Sequence, residues 1–449
     1  MCNMCGIVSE NLKPESSYWR KMCKYVTQAK RPAFFGNGCT ASSKCDFYIK
    51  DIAGNKCFAI LDGEILNYDR IRQSLELRGV VFSSRSHAEL ALLGYFVLGK
   101  SIAKIFRGEF SIAIWDGYEE ELVLFRDKMG FKSLFYYYDG MRIVFCSQIK
   151  GILKFPFVKK EFCDDIYCKL FTLAGSKLNT DTLFKKVYEV PPSAFVVYKN
   201  QKVEVHNYFV FNLDSTTDSF KQTVSGLEFL LKGKEVPNPL EEKIMTQDEM
   251  ADKIEEFITR ADMPSPYVDL RALSNQGVNE QFADLANIFS IPRRFKLPIK
   301  DCESGDKEFI NDFLSTLPPF SYKDEKDITK KEEMYIKLSI VLPQYIYARR
   351  NIGSRVIFPY LEESVAQYCL KSMKYGDKLQ KFSLKNHKER PQKENVRVLK
   401  SLFYKMLSDK NAMLGFVERE ELLKFTRLFP RPETMLYLVQ VNIWLNRFL

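Results

Sequence analysis

Only three histidines, His87, His206 and His387, occur in 449 residues, and the eleven cysteines are scattered without paired CxxC spacing. Cys2 and Cys5 stand as CNMC, but no second pair answers them. A zinc site is therefore not expected, and in a reducing compartment neither are disulfides. No run of about eighteen uncharged apolar residues occurs, and the N-terminus lacks a basic region followed by an apolar one. Neither a membrane span nor a secretory signal is expected, and the default address is the cytoplasm. Internal repeats and low-complexity tracts are also missing.

What is there suits two domains with separate cores: 449 residues, 46% of them apolar. The net charge of +10 is uneven, because residues 371–410 hold twelve Lys/Arg against four Asp/Glu. That stretch reads as a solvated lysine-rich face or as an anion site for phosphate or RNA, and no aromatic-basic recognition module accompanies it.

From Cys57 to Leu153 the pattern is period two or short apolar runs closed by turn signals. CFAILDGEI, EFSIAIWDGYEE, ELVLFRD, SLFYYYDG and MRIVFCSQ read as successive strands. NYDRIRQSLELRG and HAELALLGYFVLG have helical spacing and close on Gly79 and Gly99. SAFVVYKNQKVEVHNYFVF, after Pro191-Pro192, reads as a finishing hairpin. Residues 212–250 turn polar and Pro- and Lys-rich, which predicts a linker or an eroded start of a second domain. Beyond it ADKIEEFITRA, NEQFADLANIF, EEMYIKLSIVLPQYIYARR, ESVAQYCLKSM and TMLYLVQVNIWLNRFL fit period 3.6, so the second half reads as mainly helical. The expected division is 1–211, 212–250 and 251–449.

The chemistry concentrates at MCNMCGIVSE. A cysteine that becomes residue one carries its own base, because the free α-amine, with a pKa near about 8, can relay the thiol proton. Removing Met1 exposes Cys2, whereas Cys5 needs the loss of four residues or a start at Met4. In a strand these two cysteines, three apart, point to opposite faces and are not interchangeable.

MCGI at 4–7, LDGEILNY at 61–68, SHAELAL at 86–92, FRGEFSIAIWD at 106–116, FRDKMGFKSLFYY at 125–137, CSQIKGIL at 146–153 and TLFKKVYEVPPSAFVVYKN at 182–200 together resemble the glutaminase domain of glutamine-dependent asparagine synthetases, in order. The resemblance implies an α+β N-terminal-nucleophile fold, a glutaminase type 2 αββα sandwich. It implies Cys5 as the nucleophile that attacks the glutamine side-chain amide, with Cys2 in an extension. The family's Asn-Gly-Glu motif, whose Asn side chain and Gly amide serve the oxyanion, reads Asp62-Gly63-Glu64 here. An ionised Asp only accepts hydrogen bonds and would repel a developing oxyanion, and losing such a donor costs about two to three orders of magnitude in rate. The family's Ser-Asp-Thr-Glu motif, whose Asp holds the substrate's α-ammonium, reads Ser86-His87-Ala88-Glu89. The Arg that would hold the α-carboxylate has no clear counterpart in 31–57. His87 reads otherwise as a surface or capping residue at the start of a helix.

The second half resembles the synthetase domain of the same family with its reactive part missing. No SGGxDS pyrophosphate loop is present, and its nearest echo is Ser225-Gly226-Leu227-Glu228. LSNQGVNEQFADL at 273–285 resembles a nucleotide-binding stretch, with Gly277, Glu280 and Gln281 in register, and ARRNIGSRVIFPYLEESVAQYCL at 348–370 resembles the helix and loop that follow. Gln281, Ser133-Leu134 and NAMLGF at 411–416 resemble the asparagine synthetase domain-containing branch of the family. The expectation is a degenerate, asparagine-synthetase-like pseudoenzyme that binds or scaffolds. The rival is an active glutaminase releasing ammonia through a processed Cys5. Glutamine is the expected small-molecule partner. No cofactor is expected, with ATP and magnesium only if the synthetase site survives, and RNA only through 371–410.

Overall fold

The structure is a computed structural model that describes residues 3–9, 17–28, 34–36, 38–163, 182–211, 218–231, 243–265, 268, 270–274, 280–282, 342–352, 355–357, 363–371, 392–408, 419–420, 422–423 and 432–448. The chain forms two compact units, Met1–Asp164 with Leu178–Val210, and Asp165–Lys177 with Phe211–Leu449.

The first unit is built on two six-stranded antiparallel sheets. One has the order β10-β8-β9-β1-β3-β2, from Val187–Glu189, Phe135–Tyr138, Arg142–Cys146, Met4–Ser9, Cys39–Ser43 and Phe34–Gly36. The other has the order β12-β11-β7-β6-β5-β4, from Lys202–Asn207, Ala194–Lys199, Glu121–Arg126, Gly108–Asp116, Asn55–Ile65 and Asp46–Ile52. The strands read from Cys57 onward, and the finishing hairpin, take the expected places. Strands β1 to β4 carry too few alternating residues to have been read beforehand.

Burial explains why β5, β6 and β7 look continuously apolar rather than alternating: both of their faces are covered. In β5, Phe58 and Ile60 join Met4, Val8, Trp115, Leu124 and Phe145 in a core between the two sheets. Their neighbours Cys57, Ala59 and Leu61 point the other way, into a core shared with α2 (Tyr68–Glu76) and α3 (His87–Leu98). On the first sheet, α1 (Ser17–Thr27) packs on β1 and β3, and α5 (Ile149–Ile152) on β8 and β9. A four-residue helix, α4 (Ile102–Ile105), leads into β6. The layering is thus helix, sheet, sheet, helix.

Helix α3 begins where the sequence marks it. Ser86 accepts from the Glu89 amide as N-cap, and Gly99 at φ 61° closes the helix by donating to Tyr95 O.

The second unit holds helices at Phe220–Leu231, Gln247–Ala261, Leu270–Ser274, Leu342–Asn351, Glu363–Lys371, Lys393–Ser408 and Pro432–Phe448. Three of them, starting at Gln247, Lys393 and Pro432, pack together. Thr246 and Glu249 close a capping box on the first of the three, and Asn395 ties its entry by accepting from Met245 N (2.8 Å) and donating to Lys243 O (2.9 Å).

One reading changes here. The helical reading of NEQFADLANIF gives way at Glu280–Phe282 to a strand, paired in parallel with Arg355–Ile357; a short apolar run leaves helix and strand undecided until its partner is known. Within 212–250, Phe220–Leu231 is a helix, so that stretch contains a folded element of the second unit. Ser225 to Glu228 lie in this helix, and Gly226 is there because a Cβ would meet the Tyr368 hydroxyl at 2.3 Å, which makes it a packing glycine and not a phosphate-loop glycine. Gly277, residues 358–362 and residues 411–416 lie outside the described residues.

Candidate functional site

The Asp62 side chain faces the space between the sheets, because it continues the Phe58, Ile60 series of β5, and it is 7% exposed. Two groups meet it there. Asn3 Nδ2 donates to Asp62 Oδ2 at 2.8 Å, and Lys132 Nζ pairs with Asp62 Oδ1 at 3.1 Å. Lys132 is delivered by the turn after β7. Asp127, fully buried at its start, accepts from the amides of Met129 (3.1 Å), Phe131 (2.9 Å) and Lys132 (3.0 Å), so the turn is wound around one carboxylate. Arg126 braces the same turn through Gly130 O at 3.0 Å.

Asn3 is itself fixed by its backbone. Its N–H donates to Ser147 Oγ (2.7 Å), and its carbonyl accepts from Lys44 N (2.8 Å) and Ser43 Oγ (3.2 Å). Ser133 Oγ donates to Ser147 O at 3.2 Å, so residues from the front of β1, the β3–β4 turn, the β7–β8 turn and the end of β9 converge on Asp62. Cys45 also borders the site. Burial, and then the negative charge of Asp62, push its thiol up to about 12.

Gly63 follows at φ 122°, with a hypothetical Cβ 1.9 Å from Glu109 O, so only glycine fits there. Gly63 and Glu64 are exposed beside the buried Asp62. Asp62, Gly63 and Glu64 thus stand near the C-terminal end of β5.

Cys5 is placed elsewhere. Met4 and Val8 point into the inter-sheet core, so Cys5, alternating with them, points to the opposite face of the sheet, under α1. It is fully buried, opposite Cys146 on β9 and Ser42 on β3. Burial, reinforced by the neighbouring Cys146 thiol, raises its pKa well above the usual thiol range, and Cys23 of α1 is its other sulfur neighbour. A buried thiol among thiols is protonated and a poor nucleophile. Cys5 and Asp62 are not brought together: one faces α1, the other the inter-sheet layer.

His87 occupies the first turn of α3. Its Nδ1 accepts from Ile65 N at 3.1 Å, and its ring lies 4.9 Å from that of Tyr68. The ring thus ties the start of α3 to the end of β5, while Ser86 caps the helix. The Ser86 hydroxyl and the Ala88 amide are both held by Asp46, at 2.8 and 3.0 Å. Glu89 accepts four bonds, from the amides and hydroxyls of Ser83 (2.6 and 2.6 Å) and Ser84 (2.7 and 2.5 Å); against its burial, these hold its pKa below the usual carboxylate range. In the second unit, Glu280 lies in a strand opposite Arg355.

Sequence reasoning missed Asn3, Lys132, Cys45 and Ser147. Lys132 and Ser147 stood inside quoted motifs, GFKSL and CSQIKGIL, but nothing local says that they meet Asp62, 70 residues away in the case of Lys132. Among the described residues no His, Cys, Asp or Glu cluster could hold a metal ion, and no helix is long and apolar enough to cross a membrane.

Comparison with known proteins finds similarity over part of the first unit. Residues 52–209 match the glutamine amidotransferase domain family. The chain is 28% identical over 179 residues to asparagine synthetase [glutamine-hydrolyzing] 3 of Bacillus subtilis, 40% of this chain and 29% of that protein. It is 28% identical over 154 residues to amidase chry2 of Gibberella zeae, 34% of this chain and 22% of that one. The match thus spans less than a third of the length of these relatives. The solved glutamine phosphoribosylpyrophosphate amidotransferase of Bacillus subtilis aligns at 11% identity and a TM-score of 0.32 over 57% of this chain and 58% of that one, too distant to carry the fold, which rests on the sheet order above. The family match begins at residue 52 and leaves Met4–Ser9 outside it. The part of the chain that is similar to glutamine amidotransferase domains, residues 52–209, thus falls mostly in the first unit and includes Asp62-Gly63-Glu64 of β5, and the relatives it resembles include an asparagine synthetase.

Proposed function

We propose that this protein is a degenerate member of the asparagine-synthetase-like group, of the asparagine synthetase domain-containing branch, whose first domain no longer hydrolyses glutamine and serves in binding or scaffolding. One observation carries the reading: the Cys5 thiol is buried under α1 beside Cys23 and Cys146, while the Asp62 position is filled by Asn3 and Lys132. A nucleophile and its oxyanion partner must meet on one carbonyl, within about 3 Å of the reacting atom. The Asp at 62 and the His at 87 remove two further parts of a glutamine site. On this reading residues 1–211 are the glutaminase-like domain, 212–250 its connection, and 251–449 a synthetase-like domain without a pyrophosphate loop. The absent SGGxDS loop speaks against ATP-dependent amidation of aspartate by this chain. The address is cytoplasmic.

Incubating the chain with millimolar L-glutamine tests it. The expected result is ammonia release no greater than that of a Cys5→Ala variant; release that the variant abolishes overturns the reading. An active glutaminase is the second reading, favoured by one feature: a chain starting at Met4 would lose Asn3 and, once its methionine is removed, begin with Cys5. An RNA role for 371–410 has less support. In its described part, Lys393–Ser408, the helix buries Leu399, Phe403 and Leu407 and turns Lys393, Arg397, Lys400 and Lys405 outward, the pattern of a solvated face.

A further inference from the structure

Asn3 is held as a bound peptide would be. Its N–H, its carbonyl and its side chain are each engaged, by Ser147, by Lys44 with Ser43, and by Asp62. The group it presents to Asp62 is a primary carboxamide. At Asp62, a carboxylate that accepts stands 3.1 Å from an ammonium that donates, that of Lys132. An accepting and a donating group side by side match the two ends of a carboxamide, whose NH2 donates and whose oxygen accepts. A carboxylate ligand would meet Asp62 acceptor to acceptor and like charge to like charge.

We propose that the Asp62–Lys132 pair is a carboxamide-recognition site occupied in cis by Asn3, so that the chain's own N-terminal segment acts as an internal ligand and excludes free carboxamides. The proposal rests on the reading of the first unit as a glutaminase-type domain and adds to it the group that closes the site. It also couples two events: a chain from which residues 1–4 are absent lacks the internal ligand and presents Cys5 as its first residue.

Binding of L-glutamine and L-glutamate by the full chain, measured calorimetrically, tests the proposal. Asn3→Ala is expected to bind L-glutamine at least tenfold more tightly than the unaltered chain, to leave L-glutamate binding unchanged, and to lose the gain when Asp62→Ala is added. Asn3→Ser, which keeps a hydroxyl at the turn but is too short to reach Asp62, gives the same test should Asn3→Ala not fold. Equal glutamine affinity in the unaltered chain and in whichever of these variants folds, or a gain that survives Asp62→Ala, overturns the proposal. Ammonia release by the unaltered chain is a separate result: it overturns the inactive-domain reading and says nothing against Asn3 as the internal ligand.

Discussion

Asp62 differs from an asparagine by one proton-accepting oxygen, and that oxygen decides what can stand beside it. A carboxylate 7% exposed requires a cation or several donors, and Lys132 with Asn3 supplies both. Lys132→Met leaves that charge without its cation and is expected to cost about 1 to 3 kcal/mol in urea unfolding, since the Lys132 side chain keeps 25% exposure and solvent screens part of the effect. Asp62→Asn, which removes the charge and keeps the shape, is expected to cost less. Glu89 sets a pH signature of its own. Its pKa is lower in the fold than in the unfolded chain, so its contribution is full above the unfolded value and is lost as pH falls through the folded one. The stability difference between the unaltered chain and Glu89→Gln should therefore be largest near neutrality and shrink below about pH 4.

At the scale of elements, alternation along β1 sets the face of the sheet that Cys5 takes once the strand is paired. Met4 faces the inter-sheet core, so Cys5 faces α1. Iodoacetamide at pH 8 is expected to leave Cys5, Cys23 and Cys146 unmodified in the folded protein and to alkylate all three in urea, as read by peptide mass. Rapid modification of Cys5 in the folded chain would place its thiol elsewhere. Helix α3 offers a second check: Ser86→Ala removes the N-cap and one of the two groups on Asp46, and should cost about 0.5 to 2 kcal/mol. These elements also show what the sequence can and cannot disclose. Strands β5 to β9 and helices α2 and α3 were legible, because long apolar runs end at glycine or at an Asp-Gly turn. The facing of Cys5 was not, because it depends on the pairing of a six-residue strand with β3 and β9. Likewise the Asp62 partners come from 59 and 70 residues away, a distance that no local pattern reports.

Across the whole chain, the family match covers part of the first unit. Residues 52–209 match glutamine amidotransferase domains; within them Asp62 is held by Asn3 and Lys132 and His87 accepts from Ile65 N, while the buried Cys5 lies outside the match. The second unit holds a parallel strand pair and packed helices, and the sequence carries no SGGxDS motif. A domain can keep its cores after its reaction is gone, because packing and catalysis are carried by different side chains. The most direct measurement is the N-terminal mass of the protein from its native source, paired with glutamine hydrolysis by that same preparation. A chain that retains Asn3 and releases no ammonia is the expected result; a chain that begins at Cys5 and hydrolyses glutamine would contradict it.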